Sequence, residues 1–260
     1  MLPLTEDWYR RQLLAAVYLG VFGGIFALAF SVVTTWAIDR LFGEATSELW
    51  SGEWWWIALT AGGAVLVTAM RKALTVPDKV PGAIAMAKAA RVDPRLAPKL
   101  VIISVVSLIA GASLGPSFAI VVAGGGMGTW LVERRLHSEP EAEAQYTLTG
   151  MSGAFGGVFT SPLFASILVS ELSPIKKMNY VAAFIPQVLA ASIGFAIFFG
   201  VTGDTMLGAF EVGGDYAFET SDLLLGILLG LFAAFTLLIY TAVGHAVRGI
   251  FARVRMPWVN

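Results

Sequence analysis

The chain contains no cysteine, so disulfide cross-links, thiolate metal sites and thiol nucleophiles are excluded. Its fold must rest on packing and backbone hydrogen bonding. Histidine is nearly absent: His137 lies among acidic residues and His245 near a helix end, and neither has the Asp, Glu or His spacing of a metal site or a catalytic triad. Charge is scarce as well, with Asp, Glu, Lys and Arg making up 13% of 260 residues and a formal net charge of −1. The 17 Lys and Arg are scattered through short connecting segments and form no basic footprint for nucleic acid. The expectations are therefore no enzymatic activity, no metal, no cofactor and no nucleic-acid partner.

What the chain has in excess is apolar surface: 57% of its residues are hydrophobic and its mean hydropathy is +0.76, far beyond the soluble norm. Its 28 glycines and eight tryptophans fit membrane helices, which use small residues for close backbone approach and place Trp at the interfaces. Long apolar segments without a two-residue alternation indicate helices rather than a barrel. Four full spans are expected: Leu13 to Ile38, Trp54 to Leu74, Tyr180 to Val201 and Leu223 to Val247. The first is roughly 39 Å long at the helical rise, too long for a signal-peptide core and without a small-x-small cleavage site. Between the second and third spans, Val80 to Leu172 is broken by Gly and Pro into short apolar pieces: Val101 to Leu114, Phe118 to Val132, Leu148 to Phe159 and Leu163 to Leu172. Interrupted helices at membrane depth must pack in protein or line a polar cavity, and in transporters they mark the binding site.

The distribution of Lys and Arg gives an expected orientation. The loops Asp39 to Glu53 and Gly203 to Asp222 are poor in basic residues and are expected outside. Arg71 to Lys99, Lys176 and Lys177, the N-terminal Arg10 and Arg11, and Arg248, Arg253 and Arg255 near the C-terminus are expected on the cytoplasmic side. Alternation then puts the acidic linker Glu133 to Glu143 outside, against the pull of Arg134 and Arg135.

Three runs could carry chemistry. Gly111-Ala112-Ser113-Leu114-Gly115-Pro116 precedes Ser117 and Phe118 and reads as a helix start aimed into the membrane. Pro116 suits a first helical turn and Gly115 permits close approach, so free N–H groups would face an anion. A plain kink or tight helix crossing accounts for the same residues. Pro77-Asp78-Lys79-Val80-Pro81, before the apolar Gly82 to Ala90, is either a second such start or a solvated turn. Gly150 to Leu163 combines small residues with Pro162, and packing alone explains it. Glu171, ending the next short helix, is an ionisable group among apolar neighbours, either functional or interfacial.

In order and type, these runs resemble the N-terminal half of the CLC chloride channels and transporters. That family carries G-[KR]-E-G-P, then a Gly/Ala-rich helix ending in a Pro-Leu turn, then a helix ending in Glu-Glu. The resemblance extends from about Leu13 to the C-terminus and is strongest from Lys72 to Pro174. It implies an all-α membrane protein, a CLC-like bundle of tilted and partly re-entrant helices with one of two inverted repeats present, residues 1–260 forming one transmembrane domain. It also implies an anion pathway lined by helix N-termini, with Ser113, Leu114, Gly115 and Pro116 at its outer part. Asp78, Lys79, Val80 and Pro81, matching the family's G-S-G-I-P loop by order, would lie at its inner part.

The departures are informative. Leu114 stands where the family has its gating glutamate, and Leu172 where its exchangers have an internal proton-relay glutamate, leaving Glu171 on the first position of the pair. The expected function is passive conduction of chloride or another small anion. A proton-coupled antiporter and a non-conducting scaffold or degenerate subunit are the alternatives. Asp78 falls where the family has a serine that donates to chloride. Either it turns away and leaves the work to Lys79 or backbone N–H groups, or the loop register is shifted by one, or the site is degenerate. No G-x-F-x-P loop follows Pro174, so the expectation is a fragment of a longer protein or a half-length chain that must pair. The expected partners are the lipid bilayer and a second copy in a homodimer. The expected location is the cell membrane, multi-pass, with both termini cytoplasmic.

Overall fold

The computed structural model describes residues 6–42, 55–112, 115–136, 140–159, 161–172, 180–203 and 220–253. Its elements are α1 (Asp7–Phe42), α2 (Trp55–Ala73), α3 (Ala83–Ala89), α4 (Ala97–Ile109), α5 (Ser117–Leu131), α6 (Pro140–Gly156), α7 (Pro162–Leu172), α8 (Tyr180–Thr202) and α9 (Thr220–Arg253). A π-helical turn, Val132–Leu136, continues α5. The chain divides into two units, Met1–Phe210 with α1 to α8 and Glu211–Asn260 with α9. The expected all-α membrane architecture is what the described residues adopt.

Among the described residues, three helices are long and apolar enough to cross a membrane: α1, α8 and the Thr220–Val247 part of α9. The span expected over Trp54 to Leu74 does form a helix, α2, but is not among them because its last turn carries Arg71 and Lys72. At 36 residues, α1 is about 54 Å long, well over a hydrocarbon core of roughly 30 Å, so it must tilt or emerge.

The core of the first unit is built on glycine. Gly23 of α1 lies against Gly153 and Ala154 of α6, and Gly157, just past α6, lies against Gly24 and Ala27. Gly20 and Gly24 meet Ala190 and Gly194 of α8, while Gly156 meets Ala191. Along α1 the numbering rises together with that of α6 and with that of α8, so α1, α6 and α8 run in the same direction. Helix α5 runs the other way along α6: Gly124 faces Gly150, and Gly128 faces Tyr146 and Thr147. A Cβ added at Gly20 would sit 2.7 Å from the Ala190 carbonyl oxygen, and one at Gly153 would sit 2.8 Å from that of Leu19. No larger residue fits these crossings without moving a backbone. Apolar packing between helices is as favourable as packing against lipid, so this close approach supplies the dispersion contacts that hold the bundle.

Several polar side chains inside the bundle find partners. The Thr129 and Thr147 hydroxyls are 2.8 Å apart across α5 and α6, and the Val92 N–H donates to Thr129 Oγ1 at 3.3 Å. Thr34, Thr149 and Ser166 donate to carbonyls four residues earlier, those of Phe30, Gln145 and Pro162, the usual solution for hydroxyls in apolar helices.

One expectation is corrected. Glu133 and Glu143 lie at the same end of the bundle as Arg91, not at the opposite one. Arg91 pairs with Glu133 at 3.2 Å and with Glu143 at 3.0 Å. Helix α6 begins at Pro140 and runs parallel to α1, so its start lies at the end of the bundle where Arg10 and Arg11 begin α1. Arg134 and Arg135 were the better guide. The chain returns along α5, antiparallel to α6, so Glu133 and the start of α6 both come back to the Arg91 end. The loops 43–54 and 204–219, expected outside, fall outside the described residues.

Candidate functional site

Helix α4 ends in a tight wrap: the Ala110, Gly111 and Ala112 N–H groups donate back to Val106, Leu108 and Ser107. Gly111 then takes φ +91° and Gly115 φ +65°, left-handed values that a side chain resists. No atom lies within 4 Å of a Cβ placed on Gly115, so Gly115 serves the chain's direction rather than a helix crossing. Pro116 follows at φ −78° and ψ −12°, Ser117 opens α5, and no side chain caps this start. The first N–H groups of α5 therefore have no intrahelical partner, and the positive end of the helix dipole stands behind them. Gly111 faces Thr60 and Phe42, which places this loop toward the end of the bundle away from Arg91. From its Arg91 end, α5 is 15 residues long, about 22 Å, which is short of the hydrocarbon thickness. A helix of that length does not cross the hydrocarbon by itself. Between α2 and the end of α4, a cavity of about 190 Å³ is lined by Thr60, Gly63, Val67, Ser107, Gly111 and Ala112. Ser113 and Leu114 lie outside the described residues.

The second loop sits at the opposite end. Thr75 takes φ +52°, and the Leu74, Thr75 and Val76 N–H groups close the C-terminal turn of α2 onto Met70, Lys72 and Arg71. Arg71 donates to the Pro77 carbonyl at 3.0 Å and approaches that of Asp78 at 3.4 Å. Lys99 Nζ donates to the Leu74 carbonyl at 2.9 Å. Asp78, Lys79 and Pro81 are exposed, whereas Val80 is half-buried against the core. The carboxylate of Asp78 and the ammonium of Lys79 engage no group among the described residues.

Among the described residues no hydrogen bond or ion pair joins the two loops. A shared core does: Val80 beside α3 and Phe118 of α5 pack on the same cluster, as does Leu172 at the end of α7. Leu172 is half-buried while Glu171 is exposed, so the apolar residue of this pair faces the core. Of the positions expected to matter, Val80 and Leu172 thus border one packed region, which Phe118 joins from the first turn of α5. Arg71 and Lys99 are the residues that sequence reasoning missed. Both had been read only as orienting charge, yet a basic residue at a helix C-terminus is also placed to bind free carbonyls. A larger concavity of about 420 Å³ lies among Phe22, Phe26, Val101, Met127 and Trp130. Its apolar wall offers an anion nothing.

Residues 62–259 match the sequence model of the voltage gated chloride channel family. The chain belongs to that family. The fold agrees: an X-ray crystal structure of a slow cyanobacterial Cl−/H+ antiporter superposes with a TM-score of 0.71 at 17% identity, over 85% of this chain and 53% of that one. An uncharacterized protein of Methanocaldococcus jannaschii is 30% identical over 111 residues, 43% of this chain and 27% of the relative. The chain thus spans about half the length of the antiporter and about a quarter of that of the archaeal protein. As a chloride channel family member it is a multi-pass membrane protein, and its two candidate loops are the ones the family resemblance singled out.

Proposed function

We propose that this protein conducts chloride or a similar small anion passively, without stoichiometric proton coupling. The observation that carries the reading is the α5 start: an uncapped N-terminus on a helix too short to cross the hydrocarbon alone, entered through a glycine at φ +65°, with leucine rather than a titratable residue at sequence position 114. Partial positive charge there attracts an anion. A leucine can neither compete with the anion as a carboxylate does nor carry a proton. Leu172 removes the second ionisable station, since it is apolar and packed on the core. The family membership and the antiporter-like fold support anion transport of either mode, and the two leucines favour the uncoupled one.

In this reading residues 1–260 form a single membrane domain, a view supported by a family match that runs across both units. The protein works in the bilayer as a homodimer, for which the exposed Leu163, Phe164 and Ile167 on α7 offer an apolar face. Both termini are cytoplasmic, the side toward which the basic residues gather. A non-conducting subunit is the second reading, favoured by the Asp78 carboxylate in the inner loop.

The test is chloride uptake into proteoliposomes holding the protein together with any natural downstream sequence. Uptake down a chloride gradient, with no uptake driven by a pH gradient alone, is expected. Accumulation driven by the pH gradient would replace the reading with an antiporter, and no flux under either gradient would favour the non-conducting subunit.

A further inference from the structure

We propose that Arg71 is a positioning residue which turns the peptide groups of the inner loop so that their N–H groups, not their carbonyls, face the passing anion. The inference rests on the anion-conducting reading above and assigns that reading's inner loop a working geometry.

A peptide loop receives an anion only when its N–H groups converge and its carbonyls point elsewhere. Pro77 and Pro81 have no N–H to offer, which leaves the amides of Asp78, Lys79 and Val80. Those three donate to no group among the described residues. Two carbonyls on the same stretch are occupied: Arg71 takes those of Pro77 and Asp78, while Lys99 takes that of Leu74 just before the loop. The peptide groups that carry the Asp78 and Lys79 amides therefore have bound acceptors and free donors, the polarity an anion requires. Two valines fix its ends, since Val76 is buried and Val80 packs on the core. What remains free is rotation of the peptide groups between them, and the Arg71 guanidinium removes that freedom.

Arg71 is well anchored for this work. It stands in the last turn of α2, where its own carbonyl accepts the Val76 N–H at 2.9 Å. One guanidinium nitrogen, Nη2, reaches both carbonyls, and its N–H directions are fixed by the planar group, whereas a lysine ammonium would bring the charge with less directional control. With Arg71 present, the carboxylate of Asp78 need not spoil the site, because the backbone orientation is set independently of that side chain. Lys72 provides the internal control: it carries the same charge one residue away, and its side chain binds no described group.

The experiment compares Arg71→Gln, Arg71→Lys and Lys72→Gln in the full-length protein, reading chloride flux and chloride-over-nitrate selectivity in liposomes. Losing a charge-assisted hydrogen bond at a binding loop is expected to lower flux about 10-fold in Arg71→Gln. Selectivity should flatten in that variant and be partly restored in Arg71→Lys, while Lys72→Gln stays close to the parent. Equal losses in Arg71→Gln and Lys72→Gln would reduce Arg71 to a source of charge and overturn the proposal. A parent protein without flux would instead overturn the conducting reading on which the proposal rests. A second measurement needs no flux: in this cysteine-free chain, Asp78→Cys is a single label. Its reaction with a negatively charged thiol reagent should change rate when Arg71→Gln is added, and an unchanged rate would show that Arg71 does not hold the loop.

Discussion

The packed helices and the two loops use the same residue to opposite ends. At Gly20, Gly124, Gly150 and Gly156, glycine is there because a backbone from another helix occupies the space of its side chain. At Gly82 and Gly115, next to the candidate site, a Cβ would meet nothing within 4 Å. Gly115 is instead needed for its left-handed backbone. The run Gly150 to Gly157 and the run Gly111 to Pro116 look alike in sequence, but the first builds the scaffold and the second directs a helix start. The contrast teaches that a small residue in a membrane helix signals function only when the space around it is open.

Substitutions can break that contrast, and the largest effect belongs to the scaffold. Gly150→Ala drives a methyl group into the Gly124 carbonyl and should cost about 1–3 kcal/mol or more through overpacking, read as a lower unfolding temperature or loss of the monodisperse protein in detergent. Gly115→Ala meets no clash but holds a side chain at φ +65°, so a cost of about 1–2 kcal/mol is expected, together with reduced anion flux. Thr129→Val removes one side of the buried 2.8 Å hydroxyl pair and the acceptor for Val92. About 0.6–1.7 kcal/mol should be lost, measurable by the same unfolding assay. Glu133→Gln weakens an ion pair whose arginine side chain is 62% exposed, and the change should stay below about 1 kcal/mol and shrink further at high salt. Gly82→Ala, in open space at the start of α3, should fall within about 0.5 kcal/mol of the parent. A Gly82→Ala effect as large as that of Gly150→Ala would break the distinction between the two uses of glycine.

Much of the fold could be read in the sequence because long apolar runs have few alternatives in a bilayer. The helices expected from Leu13, Trp54, Tyr180 and Leu223 all exist within a few residues of their expected bounds. Helix α6 was expected only from Leu148, since its first turns are polar, yet Glu, Ala and Gln are good helix formers and the helix starts at Pro140. The side on which Glu133 and Glu143 lie was not readable locally. Their common partner, Arg91, is 42 and 52 residues away in the chain, and only the return path of α5 brings them together. At the candidate site, the importance of Gly115 and Pro116 followed from residue type. The clamp on the inner loop did not, because Arg71 acts through backbone carbonyls that any sequence would supply.

The central claim is that an anion path bordered by leucines at positions 114 and 172 carries no protons. It is tested most directly by the reversal potential of the full-length protein in a planar bilayer, measured under a chloride gradient with and without an added pH gradient. The account predicts a reversal potential set by chloride alone and unmoved by the pH step. A shift of the reversal potential along the proton gradient would contradict it.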